Sequence, residues 1–141
     1  MKIAKFPAIT DLRHVRKTIT FSNTAGTVTV FTTTGRVFGA LITAFCTADL
    51  IEDGAVTSIE LGGATDPDAL IVQTDPATID VNEWWPGASP VGGIVQADAI
   101  QVDWMTDEDI ILTITGGADL DSGEFIFDVW FFPITDDGNL S

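Results

Sequence analysis

Glu124-Phe125-Ile126-Phe127-Asp128-Val129-Trp130-Phe131-Phe132-Pro133 is the stretch that decides the fold. Seven of these ten residues are aromatic or β-branched, which favours a strand, and Pro133 closes it. Read with a period of two, Phe125, Phe127, Val129 and Phe131 share one face. Glu124, Ile126, Asp128, Trp130 and Phe132 share the other, so both faces are largely apolar and Asp128 is the exception. A monomeric antiparallel sandwich ordinarily leaves one face of each sheet polar. Ile126, Trp130 and Phe132 are therefore expected at a subunit interface, the alternative being a strand that bends between layers of one domain.

The same grammar runs outward from this strand. Val15, Lys17, Ile19 and Phe21 alternate with Arg16, Thr18 and Thr20. Thr27–Thr34 is almost entirely β-branched, which disfavours helix. Strands are also expected at 36–47, 55–61, 94–104 and 110–115, with a smaller one at 78–81, and 69–73 is a short apolar stretch. Turns are expected at 22–26, 49–54, 105–107 and 116–123. A short helical turn is expected at Asp66-Pro67, because Asp followed by Pro suits an N-cap and the first helical position. Residues 136–141 read as a polar tail. About eight strands with no amphipathic helix predict an all-β fold, an antiparallel β-sandwich of jelly-roll type. The organisation expected is a basic N-terminal arm (1–13), one sandwich domain (14–135) and the tail.

Charge is distributed unevenly. The chain has 141 residues and a net charge of −15. All six Lys and Arg residues fall within residues 1–36, which carry a net +5, while residues 37–141 carry −20. So acidic a body repels nucleic acid and anionic membrane, and neither is expected as a partner. The basic arm has two readings. Its cations lie against the protein's own acidic body, or Lys2, Lys5, Phe6, Arg13, Arg16 and Lys17 engage a neighbouring subunit or another acidic partner. No apolar run of signal-peptide length follows Lys2 and Lys5, and the lone cysteine suits a cytoplasmic site of synthesis.

Catalytic chemistry finds little support. His14 is the single histidine and lies in the basic segment, and Cys46 sits in the most apolar strand. There is no nucleophile elbow, and the paired glycines lack a following Lys. No enzymatic activity is expected. Trp84-Trp85 offers a glycan-stacking platform or a packing element. Asp119, Asp121 and Glu124 present oxygen ligands at loop spacing for Ca²⁺, or else form a solvated acidic turn. No other cofactor is expected.

The run Gly116–Asp119 through Gly123–Pro133 resembles the last hairpin of small β-rich virion proteins of tailed phages. The Thr/Val/Ala-rich strands before it and Gly62–Thr65 are similar in style. Such proteins include head-decoration (cement) proteins and tail or fibre components, commonly trimeric. The resemblance implies a homo-oligomer, a trimer, on the outer surface of the head, clamping subunits of the major capsid protein or another virion protein. The rival it leaves open is a tail-associated host-attachment module that binds a surface glycan. The extreme acidity departs from typical examples, so no functional residue is carried over.

Overall fold

The computed structural model describes residues 11–54, 57–96, 101–117 and 119–141. Twelve strands account for most of them: β1 (Arg13–Phe21), β2 (Gly26–Phe31), β3 (Thr33–Thr34), β4 (Val37–Glu52), β5 (Thr57–Gly62), β6 (Ile71–Thr74), β7 (Glu83–Trp84), β8 (Val91–Gly92), β9 (Gln101–Thr106), β10 (Ile110–Gly116), β11 (Leu120–Pro133) and β12 (Asn139–Leu140). Every pairing is antiparallel.

The larger sheet runs β1-β11-β4. Beyond β4 the neighbour changes: β9 pairs its first half, from Val37 to Ile42, and β7 meets it at Phe45, with β8 outside β7. The smaller sheet runs β2-β10-β5-β6, and β12 pairs with β3 as a two-stranded ribbon. Among the eight principal strands in chain order, the larger sheet reads 1-8-3-6 and the smaller reads 2-7-4-5. That order, with successive strands crossing between two antiparallel sheets, is a jelly roll.

Period-two alternation builds the core. Phe125, Phe127, Val129 and Phe131 of β11 are fully buried, with Phe21, Ile42, Ala44 and Cys46 from the strands beside it. Val30, Phe31, Ile59, Leu61, Leu112 and Ile114 face them from the smaller sheet. Each such side chain contributes about 1.5–3 kcal/mol by leaving water, which holds the two sheets face to face.

Several boundaries differ from the sequence expectation. The expected turn at 49–54 is strand as far as Glu52, and the wide turn at 116–123 ends early because β11 begins at Leu120. Leu120 is fully buried and exchanges backbone hydrogen bonds with Thr24. Gly123 permits this, since its φ of 128° and the closeness of Leu50 leave no room for a side chain. The strand expected at 94–104 begins at Gln101 among the described residues and continues through Met105 to Thr106. The helical turn forms at Pro76–Thr78, where Asp75 accepts from Ala77 N at 2.9 Å, and not at Asp66-Pro67. It occupies the start of the small strand expected at 78–81. The polar tail is not free, because β12 pairs with β3 and buries Leu140.

Candidate functional site

The register places the outward-facing residues of the larger sheet in rows that cross it. One row is Met105, Phe38 and Phe132 on β9, β4 and β11. The next is Val102, Leu41, Trp130 and His14, ending on β1. A third is Trp84, Phe45, Ile126 and Thr18. Rings touch along these rows: Phe38 and Phe132 at 6.3 Å, His14 stacked on Trp130 at 4.7 Å, and Phe45 against Trp84 at 4.7 Å. Met105 is 72% exposed and Val102 48%. These rows make the outer face largely apolar from β9 to β11.

Asp128 sits in the middle of it, between Thr43 on β4 and Arg16 on β1. It is only 6% exposed. The Arg16 guanidinium grips both carboxylate oxygens, Nε at 2.9 Å and Nη2 at 3.1 Å, and His14 Nε2 lies 2.6 Å from Oδ1. Burial on its own pushes this carboxyl up. The hydrogen bonds from Arg16 and His14, helped by their charges, outweigh burial and hold it below the ordinary aspartate range. The one acid in the apolar centre is thus compensated by β1, and the face is left without a free charge there.

Below this centre, Glu124 is held by two hydroxyls, Thr47 Oγ1 at 2.7 Å and Thr20 Oγ1 at 2.8 Å. These hydrogen bonds, Thr47 first, keep its carboxyl low. The expected calcium loop is not assembled. Asp119, Asp121 and Glu124 belong to an extended segment running into β11, and the Glu124 oxygens are taken by threonines. Among the described residues, no three His, Cys, Asp or Glu side chains group so as to hold a metal ion.

Trp84 and Trp85 part company. Trp84 is half-buried on the outer face, whereas Trp85 points into the core at 1% exposure. Its Nε1 donates to Thr74 Oγ1 at 2.8 Å and its ring stacks on Phe125 at 5.4 Å. The paired stacking platform is therefore corrected: alternation in β7 and the residue after it sends adjacent side chains to opposite faces. Trp85 also lines an apolar cavity of about 200 Å³ with Ile42, Ile71 and Pro86. Cys46 is buried, and burial first of all pushes its thiol up to about 11, which keeps it protonated.

Arg13, Arg16 and Lys17 are placed in β1 and not in an extended arm. They are ladder residues opposite Phe131, Asp128 and Phe127. Arg13 Nη1 donates to Gly138 O at 3.4 Å. Lys2, Lys5 and Phe6 lie outside the described residues. Ile126, Trp130 and Phe132 are brought together on one partly exposed face. Sequence reasoning missed their companions Phe38, Leu41, Phe45, Val102 and Met105, and missed Arg16 and His14 as partners of Asp128. Only the register could reveal them, because β4 is apolar at both parities.

No family model matches the sequence, and no curated protein matches it. Among solved structures, a chain of the acidic stable capsid structure of Helicobacter pylori bacteriophage KHP30 is similar. The TM-score is 0.46 at 10% identity, covering 92% of this chain and 98% of that chain.

Proposed function

We propose that the chain is a non-enzymatic structural protein of a phage virion. In this reading it is a decoration protein that assembles as a homo-oligomer, a trimer, on the outer surface of the head and clamps neighbouring capsid subunits. The observation that carries the interaction role is the apolar outer face of the larger sheet, spanning four strands with its single central carboxylate compensated. Ile126, Trp130 and Phe132 form its middle, and Phe38, Phe45, Val102 and Met105 extend it. Covering such a face on a partner removes apolar surface from water at about 25 cal/mol per Å².

The virion setting rests on the resemblance of the Gly116–Pro133 hairpin to small phage structural proteins. The charge layout suits it. The acidic remainder faces solvent and keeps unassembled copies apart, and Lys2, Lys5 and Phe6 supply the cations and the ring that an acidic partner would take up. Immunogold labelling of gradient-purified particles tests the reading. Label spread over the head is expected. Label confined to the tail, or absent from every particle, overturns it.

A further inference from the structure

A groove of about 280 Å³ runs between the Gly62–Leu70 loop and the segment from β9 into β10. Leu70, Trp104 and Met105 provide apolar lining, and Asp66, Asp107, Glu108 and Asp109 are its acids; no Lys or Arg lines it. Glu108 is held in place by the Thr65 backbone N–H at 3.1 Å and by the Thr65 hydroxyl. The Asp66 carboxyl is raised, first by its hydrogen bond to the Asp68 carboxylate, then by burial and by nearby acids. The groove therefore lacks partners for two things, its carboxylates and its apolar lining.

One segment of this chain supplies both. Residues 1–10 read Met-Lys-Ile-Ala-Lys-Phe-Pro-Ala-Ile-Thr, with two lysines, no acid, and Ile3 and Phe6 beside them. The segment precedes β1, which is the edge of the larger sheet opposite β9. Ten residues span at most about 33–36 Å.

We propose that this groove receives the basic segment Met1–Thr10 of a second copy of the chain, Lys2 and Lys5 facing Asp66, Asp107 and Glu108. The inference rests on the reading that the chain is a homo-oligomer, and it names the contact. Two bodies each carrying −20 beyond residue 36 repel, and a basic segment laid between them offsets the repulsion. A segment from one edge seated at the opposite edge of the next copy is a heterologous contact, which closes into a ring when the rotation permits.

Light scattering on the size-fractionated full chain at physiological salt tests this. Lys2→Glu/Lys5→Glu and Asp66→Lys/Asp107→Lys are each expected to weaken association at least about tenfold. A one-to-one mixture of the two variants is expected to restore association in part, because every contact between unlike variants is charge-matched while a ring of three keeps one mismatched contact. Circular dichroism checks that both variants keep the fold. A monomeric wild-type chain overturns the homo-oligomer reading itself. An oligomer that both variants leave intact overturns the groove assignment alone. Variants that dissociate without rescue on mixing assign the groove to the chain's own segment or to another partner, and also overturn it.

Discussion

Replacing Trp85 separates a core residue from a ligand platform. Trp85 is 1% exposed, stacks on Phe125 and donates to Thr74, itself 3% exposed. Trp85→Ala removes a buried indole and adds its volume to the neighbouring cavity of about 200 Å³. Large-to-small changes of this kind cost about 3–5 kcal/mol. With a urea dependence of about 2 kcal/mol per molar for a chain of this size, the midpoint falls by about 2 M. Trp85→Phe keeps much of the ring contact but loses the hydrogen bond to a buried hydroxyl, a cost of about 1–2 kcal/mol. Trp84→Ala, on the half-buried outer face, costs only about 1 kcal/mol through its contact with Phe45. Urea unfolding followed by far-ultraviolet circular dichroism measures all three. The reasoning is refuted if Trp85→Ala is no more costly than Trp84→Ala, or if Trp85→Phe equals Trp85→Ala.

Arg16→Met leaves Asp128 buried with His14 as its remaining hydrogen-bond partner from β1. The wild-type carboxyl is held low, so its stabilising contribution is present at neutral pH and is lost as pH falls through the folded value. The variant is expected to be less stable than wild type at pH 7, with the difference shrinking towards pH 3; an equal difference at both contradicts the pairing. Glu60 behaves in the opposite sense. Burial first, then Asp68, raises its carboxyl, so the folded state gains protons before the unfolded one and stability rises as pH falls from 7 towards 5. Glu60→Gln should flatten that rise in a melting-temperature series. Gly39→Ala drives a methyl into the Trp104 ring. It is expected to cost about 2 kcal/mol in the same urea assay, and a neutral result contradicts the close approach of β9 to β4.

The strands legible from the chain are those whose alternation is strong locally. Thr18–Phe21 and Phe125–Phe132 declare their period within a few residues, and both lie in strands as expected. What stayed hidden depends on distant partners. Asp49 looks like a turn residue, yet its carboxylate accepts from Val81 N at 2.6 Å while β4 continues past it. Asp66-Pro67 and Asp75-Pro76 carry the same local signal, and only the second caps a helical turn. Leu140 sits in a polar stretch, and nothing nearby in the chain announces its pairing with Thr33. The candidate surface follows the same rule. Ile126, Trp130 and Phe132 were readable from one strand's two apolar faces. Their neighbours on β4 and β9, and the ion pair that compensates Asp128, exist only once register brings residues about a hundred positions apart into one row.

Hydroxyl-radical footprinting of the isolated chain and of purified particles tests the central claim most directly. The account predicts that Trp130, Phe132, Phe38 and Met105 become protected in the particle while Val72, exposed on the smaller sheet, stays reactive. Equal labelling of Trp130, Phe132, Phe38 and Met105 in both samples would contradict the assignment of the outer face as the surface through which this chain assembles.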